Sequence, residues 1–310
     1  MKTVKANRRK MKKSAIIIAV IAIILVIASA AAIYLLFLRP ADSGPAASDP
    51  AEEETSGILT VRVLDIGQGD SILITTPGGK HILIDTGMYT EERLLNNRLI
   101  SFGVDEIEYL VLTHPHGDHI GNAAFVLKNY KTKNVIMINM SGASYSYTAL
   151  LNELEKQTEI NVIEAKAGYE FSVSGAEFRI LSPKQISTDM NESSIVLKMI
   201  YGDNSMIFMG DVGEETEQWL MRNYTVEELK SDVIKIGHHG SRYSSTRAFL
   251  MTVAPEYAAI SCGRDNEYGH PHSRVTNTLT SLGIETLRTD LMGTISFYFY
   301  GDKVTTRLED

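Results

Sequence analysis

The chain has 310 residues and a formal net charge of −8; 44% of its residues are hydrophobic and 22% are charged. These proportions are typical of a protein with a packed core and exclude a globally disordered chain. The single cysteine, Cys262, excludes an internal disulfide framework and a cysteine-based zinc cluster. Any metal site must therefore be built from His, Asp and Glu.

A basic N-terminus precedes a long apolar segment. Residues 1–14 contain seven basic side chains, whereas residues 15–38 contain no charge. At about 1.5 Å per residue, the apolar segment is long enough to cross a hydrocarbon core of about 30 Å. The basic flank therefore predicts a single-pass signal anchor with a cytoplasmic N-terminus and an extracytoplasmic remainder, at the cell membrane. The alternative is secretion after signal-peptide cleavage, because Ala28-Ser29-Ala30 is a possible cleavage site.

Residues 39–57 are rich in Pro, Ala, Ser, Gly and acid, and we predict a flexible linker there, followed by one domain over 58–310. The first 57 residues hold eight basic and five acidic side chains, so the domain carries a net charge of −11. A domain this acidic disfavours non-specific binding to a polyanion. Near the site, this charge is expected to be offset by a local strip of five basic residues, namely Lys235, Arg242, Arg247, Arg264 and Arg274.

Short apolar runs of strand character alternate along the domain with segments of helical spacing. The predicted strands are Leu59–Asp65, Ser71–Thr75, His81–Asp85, Tyr109–Thr113, Val135–Met140, Phe178–Leu181, Ser194–Tyr201, Met206–Met209, Val233–Ile236, Tyr257–Ser261 and Thr294–Tyr300. The predicted helices are Glu91–Phe102, Tyr147–Gln157, Glu214–Arg222 and Arg247–Thr252. Two successive sets of strands, each followed by helices, predict an α/β fold in which two sheets pack face to face with helices outside.

The segment 113–119 reads THPHGDH and directly follows a predicted strand. Three imidazoles and a carboxylate within six residues suit a zinc ion, and also manganese or iron with more oxygen ligands. A solvated polar loop is the alternative interpretation. We predict that His114 and His116 face one metal ion, whereas Asp118 and His119 face a neighbouring one.

Two further strand ends carry candidate ligands. Asp211 follows the run Ile207-Phe208-Met209-Gly210, where an acid can bridge two cations, although turn residues and helix N-caps are common alternatives. His238 and His239 follow the predicted strand Val233–Ile236. One of this pair is expected to complete the second metal site, and the other to donate a hydrogen bond to a substrate oxygen.

Together these motifs resemble the metallo-β-lactamase superfamily over most of 58–310. The chain is most similar to the metallo-β-lactamase-like domain of ComEC competence proteins and their stand-alone relatives. That resemblance is carried by five segments, which read DIGQGDS at 65–71, HPHGDH at 114–119, NESS at 191–194, HHGS at 238–241 and YGHP at 268–271. It implies a metallo-β-lactamase-like αββα sandwich of two mixed sheets and a two-metal hydrolase.

The resemblance also implies roles for single residues. His114 and His116 would hold the first metal ion, whereas Asp118, His119 and His239 would hold the second. Asp211 would bridge the two ions. The predicted metal ligands are therefore His114, His116, Asp118, His119, Asp211 and His239.

Catalytic, supporting and substrate-contacting residues follow from the same resemblance. Asp118 or Asp211 would orient the attacking water, His238 would stabilise the leaving oxygen, and Asp85 and Asp65 would support the site from behind. His238 and His270 would contact the substrate phosphate, although a Pro-containing surface loop is the alternative for His270. The remaining predicted substrate contacts are Gln68, Asp70 and Ser241.

One departure from the superfamily pattern concerns the first metal site. A further ligand histidine is usual between the first cluster and Asp211, but no histidine occurs between His119 and His238. The matching place is Asn191-Glu192-Ser193-Ser194. The expected cofactors are therefore two divalent ions, Zn²⁺ or Mn²⁺, with a first site that is weak, completed by water or filled by an oxygen-preferring ion.

A metal-activated water at a two-metal site predicts a phosphodiesterase or nuclease acting on DNA or a wall polymer. One alternative is an extracytoplasmic phosphodiesterase that acts on cell-wall phosphodiester or phosphocholine groups. Another is a non-catalytic metal-binding module of a surface or DNA-uptake complex, because fold alone does not fix function. Hydrolysis of β-lactams or thioesters has the same metal chemistry but no specific feature in its favour. No protein partner can be inferred from the sequence.

Overall fold

The structure is a computed structural model, which describes residues 57–140 and 144–309. The predicted anchor over 15–38 lies outside the described residues, as do residues 1–14 and all of the linker but its last residue. Among the residues that the structure describes, no helix is both long enough and apolar enough to span a bilayer.

Fifteen strands build the framework of the described part of the chain. In chain order they are β1 (Leu59–Val63), β2 (Ile72–Thr75), β3 (His81–Ile84), β4 (Glu106–Leu112), β5 (Lys131–Met137), β6 (Asn161–Glu164), β7 (Glu170–Val173), β8 (Ala176–Ser182), β9 (Val196–Tyr201), β10 (Asn204–Phe208), β11 (Val233–Lys235), β12 (Tyr257–Ile260), β13 (Glu285–Arg288), β14 (Thr294–Phe299) and β15 (Val304–Glu309).

Helices connect these strands. They are α1 (Glu92–Ser101), α2 (Gly117–Ile120), α3 (Ala123–Asn129), α4 (Tyr145–Leu154), α5 (Glu214–Asn223), α6 (Val226–Leu229), α7 (Arg247–Val253), α8 (Ser273–Leu282) and α9 (Thr289–Met292). Short 3-10 turns cover Tyr89–Glu91 and Gly237–Gly240. Every strand and helix predicted from the sequence overlaps one of these elements.

The strands form two mixed sheets. One has the order β15-β14-β1-β2-β3-β4-β5-β6, and the other has the order β13-β12-β11-β10-β9-β8-β7. Strands β3 to β6 are parallel, and so are β10 to β13. The remaining neighbours pair antiparallel.

Three hydrophobic clusters hold the layers together. The central cluster joins side chains from both sheets, such as Ile84 and Val111 with Phe178 and Phe208. A second cluster packs the first sheet against α1 to α4, and a third packs the second sheet against α5 to α8. The predicted sandwich of two mixed sheets between outer helices is therefore the fold.

The segment that follows His238 and His239 is held in place by a buried carboxylate. Glu217 on α5 is 1% exposed and accepts hydrogen bonds from the backbone N–H groups of Ser245 and Thr246, just before α7. Burial raises the pKa of Glu217 to about 7 despite these donors, and the Glu192 carboxylate adds to the rise. Ser244 bonds the carbonyl of Gly237, so this anchor steadies the turn at 237–240.

A raised carboxyl pKa means that the folded state binds the proton more tightly than the unfolded state. The stabilisation that comes from this bound proton is complete below the ordinary Glu pKa of 4.5 and is lost as pH rises through about 7. We expect the free energy of unfolding to fall between about pH 5 and about pH 8 by roughly 2.5 kcal/mol more in the wild type than in Glu217→Gln. Urea denaturation of both proteins measures the difference, and parallel pH profiles would contradict it.

Candidate metal centre

Five strand ends converge on one edge of the sandwich. Asp85 follows β3, His114 follows β4, Asp211 follows β10, and His239 follows β11, while the carbonyl of Ser261 after β12 lies beside His239. In each sheet these are ends of parallel strands, so their carboxyl ends share an edge. Of the eight histidines in the chain, seven stand in one continuous series of ring contacts at this edge, namely His114, His116, His119, His238, His239, His270 and His272.

The first predicted ligand pair lies together at the mouth of this edge. His114 Nε2 lies 3.0 Å from Nδ1 of His116 and 3.9 Å from Oδ2 of Asp211. His114 is buried, whereas His116 is partly exposed and lines the adjoining cavity. The two imidazoles therefore lie against each other, and only His114 lies within 4.0 Å of the Asp211 carboxylate.

The second predicted set is tighter. His119 Nε2 lies 3.2 Å from Asp211 Oδ1, and His239 Nε2 lies 3.6 Å from Asp211 Oδ2. Asp118 Oδ2 lies 3.3 Å from His239 Nε2 and 3.9 Å from His119 Nε2. One donor atom from each of these four residues falls within 4.8 Å of the others.

The donor atoms of this second set fit a cation better than they fit one another. Buried Nε2 of His119, Nε2 of His239 and Oδ1 of Asp211 make no hydrogen bond of normal geometry among the described residues. Buried polar atoms without partners are costly unless something satisfies them. Imidazole nitrogens and carboxylate oxygens that converge without bonding are the donor set of a zinc or manganese site.

The field at the centre is strongly negative. Burial alone would disfavour the His119 imidazolium, but the carboxylates of Asp211, Asp118 and Asp85 raise its pKa well above the usual range. In the same way, burial opposes protonation of His239, and Asp211 and Asp70 raise its pKa to about 10. These clustered carboxylates favour protonation of buried imidazoles. The centre therefore favours positive charge, whether that charge is a proton or a metal ion.

Asp85 orients His119 from behind. Its Oδ2 accepts from Nδ1 of His119 at 2.7 Å, and both the N–H and the hydroxyl of Thr113 donate to its carboxylate. Asp85 adopts a left-handed conformation, with φ of 57°, at the end of β3. The bond leaves Nε2 of His119 free for the centre, which is the supporting position predicted for Asp85. The sequence did not identify Thr113 as a partner of Asp85, because a threonine at a strand end belongs to no functional motif.

Lys235 lies near the site, as expected, but it is buried and does not form an exposed strip with the four arginines. Its side chain is fully buried, and Nζ bonds Oδ2 of Asp70 at 2.7 Å and the carbonyl of Ile236 at 3.0 Å. Asp70 Oδ1 in turn lies 3.3 Å from Nδ1 of His239. The reason is the position of Lys235 on β11, which is covered on both faces of its sheet.

Asp70 therefore lies beneath the centre and does not line the cavity that a substrate would enter. Burial would raise the pKa of Asp70, but the charges of Lys235 and His239 outweigh burial and hold it well below its usual range. A carboxylate fixed beside Nδ1 of His239 orients that ring, which makes Asp70 a supporting group and not the substrate contact that we predicted.

The DIGQGD turn joins the two halves of the site. Asp65 accepts weakly from the N–H of Gly67 within the turn, and the Gln68 amide oxygen accepts from the N–H of Gly263. At Gly69, with φ of 127°, a Cβ would collide with the carbonyl oxygen of Asp118. The turn therefore packs directly against the backbone of the His cluster, and glycine is required there.

An open cavity of about 390 Å³ adjoins the centre. Both residues predicted to contact a substrate phosphate, His238 and His270, line it, and so does Gln68. Asn191 also lines it, with a buried Oδ1 that has no partner among the described residues. The complete lining is Gln68, Met88, His116, Gly117, Asp118, Asn191, Asp211, His238, His239, Tyr268 and His270.

Ser241 is the second predicted substrate contact that lies elsewhere. It is 3% exposed, its N–H donates to the carbonyl of His238, and it does not line the cavity. It closes the turn in which His238 and His239 both take left-handed conformations, with φ of 49° and 53°. This uncommon geometry points His239 into the centre and leaves His238 27% exposed at the mouth.

The chain belongs to the metallo-beta-lactamase superfamily, whose family model matches residues 64–264. Its two-sheet fold and its candidate metal-binding cluster agree with this family.

Curated relatives extend the match beyond the family model. The chain is 33% identical to ComE operon protein 3 of Bacillus subtilis over 88% of its own length and 35% of that protein. It is also 33% identical to competence protein ComA of Neisseria gonorrhoeae, over 76% of the chain and 32% of that protein. The chain therefore spans about a third of the length of these relatives. The similarity to competence proteins predicted from the sequence motifs is confirmed.

Solved structures support the fold alone. A metal-dependent hydrolase of the beta-lactamase superfamily aligns with a TM-score of 0.50 and 13% identity, covering 74% of the chain and 95% of that structure. The diiron β-hydroxylase CmlA of Streptomyces venezuelae aligns with a TM-score of 0.50 and 13% identity, over 81% of the chain and 54% of that structure.

The buried Lys235–Asp70 pair yields a stability prediction. Lys235→Met removes the ammonium partner of the buried Asp70 carboxylate, which then keeps His239 as a charged neighbour, and is expected to cost about 3–5 kcal/mol of unfolding free energy. Lys235→Met combined with Asp70→Asn should recover a large part of that loss, because the buried carboxylate is removed as well. Urea denaturation of the single and double variants measures the coupling.

Lys133→Met provides the matched control. Lys133 is 39% exposed and pairs with Glu106 and Glu108 at the surface, so its loss should cost less than about 1 kcal/mol. Strictly additive costs for Lys235→Met and Asp70→Asn would show that the buried pair does not act as a unit.

Proposed function

We propose that this protein is a metal-dependent phosphodiesterase that cleaves DNA. One observation carries the proposal, namely the cluster of donor atoms from Asp118, His119, Asp211 and His239, several of them buried without hydrogen-bond partners among the described residues. His114 and His116 lie beside this cluster at the same edge of the fold. The competence proteins among the relatives support DNA as the substrate. Wall phosphodiesters are the alternative substrate class.

The donors divide naturally into two sets. His114 and His116 would hold one divalent ion, whereas Asp118, His119 and His239 would hold the other, and Asp211 reaches both sets. When bound, two such ions would supply an activated water and would stabilise charge on a transferring phosphoryl group. The first set has only two imidazoles, and Asn191 offers an amide oxygen in the same cavity. This favours an oxygen-preferring ion such as Mn²⁺ at the first position over Zn²⁺.

Two further histidines face the space above the donors. Burial lowers the pKa of His238 and lowers that of His270 to about 4, so both are neutral at neutral pH. A neutral imidazole can donate an N–H hydrogen bond to a phosphoryl oxygen, and in this proposal His238 would stabilise the leaving oxygen. Asp118, which is partly exposed on the cavity wall, can orient the attacking water.

Attachment to the membrane through residues 15–38, with an extracytoplasmic domain, is part of the proposal. It rests on the apolar segment and its basic flank, and it suits the competence relatives. A membrane-held phosphodiesterase would act on DNA that reaches the cell surface.

Activity of the metal-loaded full-length protein tests the proposal. The protein is stripped with a chelator, reloaded with Mn²⁺ or Zn²⁺, and assayed on bis-p-nitrophenyl phosphate and on single-stranded DNA in parallel. We expect metal-dependent turnover of both substrates. His116→Ala should lower kcat by about a hundredfold or more, because it removes a proposed metal ligand. His116 is partly exposed, so its loss leaves no cavity in the hydrophobic core.

The control is His81→Ala, which removes the one histidine outside the ring series at the site. It should retain full activity, so that any loss in His116→Ala reflects the centre and not folding. Turnover of the small diester without turnover of DNA would favour wall phosphodiesters. A folded protein with no turnover on any metal would contradict catalysis and favour a metal-binding module of a surface complex.

A further inference from the structure

Two arginines lie beside the mouth of the cavity and are joined to it by continuous contacts. The ring of His270, which lines the cavity, lies 5.0 Å from the ring of His272. His272 Nδ1 accepts from the backbone N–H of Arg242, whose carbonyl accepts from Nη1 of Arg274. Continuous contacts therefore connect the cavity wall at His270 to Arg242 and Arg274.

These two guanidinium groups are exposed, and neither lies within 4.0 Å of a carboxylate among the described residues. Two exposed cations without carboxylate partners stand out in a domain with a net charge of −11. Arg274 Nη1 donates to the carbonyl of Arg242, which fixes the Arg274 guanidinium beside the backbone of Arg242. Exposed guanidinium groups without carboxylate partners are well suited to bind phosphate.

The other members of the predicted basic strip do not extend this patch. Lys235 is buried beneath the site. Arg247 bonds Ser281 at the opposite end of α8 from Arg274. Arg264 bonds the carbonyl of Asp290 and is followed directly by the exposed Asp265. The positive patch is therefore confined to Arg242 and Arg274.

An aromatic face stands on the same rim. Tyr268 lines the cavity, is 53% exposed, and stacks on His270 with ring centroids 5.7 Å apart and an interplanar angle of 22°. Exposed aromatic rings beside phosphate-binding cations are how proteins hold single strands of nucleic acid, since each base stacks and each phosphate is neutralised. A wall polymer of alditol phosphates has no aromatic group to stack.

We infer that Arg242 and Arg274 form a second phosphate subsite, which takes the phosphate next to the scissile one on a single-stranded nucleic acid, with a base stacked on Tyr268. This inference rests on the proposed phosphodiesterase activity and adds the substrate form to it. The subsite makes the protein prefer a chain of phosphodiesters to an isolated diester. It also concentrates the affinity for a polyanion at one side of an otherwise acidic surface.

The test compares a substrate that has one phosphate with a substrate that has many, on the full-length protein loaded with Mn²⁺. Arg242→Ala combined with Arg274→Ala should lower kcat/KM for a short oligothymidylate by about ten- to a hundredfold. Turnover of bis-p-nitrophenyl phosphate should change by no more than about twofold. The dependence of oligothymidylate binding on salt should also weaken, with a log–log slope less negative by about one to two.

Two further variants test the specificity of the arginine pair and the stacking on Tyr268 separately. Arg247→Ala removes another exposed arginine, outside the patch, and should leave turnover of both substrates and the salt slope unchanged. Tyr268→Leu should weaken oligothymidylate binding by about tenfold through lost stacking. Equal losses on both substrates in the arginine double variant, or no loss on oligothymidylate, would overturn the subsite.

Failure of the proposed activity would be seen separately. If the wild type hydrolyses no diester, oligothymidylate binding measured by fluorescence anisotropy still tests the subsite, which the double variant must weaken. A wild type that binds no oligothymidylate would overturn the inference. The nucleic-acid assignment would also fall if poly(glycerol phosphate) binds with the same dependence on the arginine pair while Tyr268→Leu changes nothing.

Discussion

The structure around the site depends on carboxylates that are buried among imidazoles. Asp211, Asp85 and Asp70 are each at most 2% exposed. Asp211 and Asp85 lie against the two ring nitrogens of His119, and Asp70 lies against Nδ1 of His239. Isolated charges of this kind are strongly unfavourable inside a protein. They are tolerated because Lys235, Thr113 and the imidazoles offset part of the charge and because the centre favours a cation.

The fold makes this concentration of charge possible by bringing two sheets to a common edge. The first sheet supplies Asp85 and His114 from β3 and β4, and the second supplies Asp211 and His239 from β10 and β11. The N–H of Ile195, just before β9, bonds the carbonyl of Thr113, which ties the sheets together beside the ligands. Ligands on strand ends are held more rigidly than ligands on long loops, which suits a site that must keep several donors in register.

Much of the fold and the position of the candidate ligands at one edge of it could be predicted from the sequence, because apolar runs end directly at His and Asp residues. The helix α8, Ser273–Leu282, could not, since its many Ser and Thr residues have poor helix propensity and only Val275 and Leu279 are buried. Strand β6 is mostly exposed and lacks an alternating pattern. Lys235 and Asp70 were misplaced because their partner lies 165 residues away along the chain, and no local pattern marks a buried ion pair.

Direct metal titration of the chelator-stripped full-length protein tests the central claim that these residues form a cation-binding centre. Isothermal titration calorimetry with Mn²⁺ is expected to show two sites per chain, with the weaker one at His114 and His116. Asp211→Asn should weaken both sites, because this carboxylate reaches both sets of donors. Absence of saturable binding to the folded wild type, or an unchanged titration in Asp211→Asn, would contradict the account.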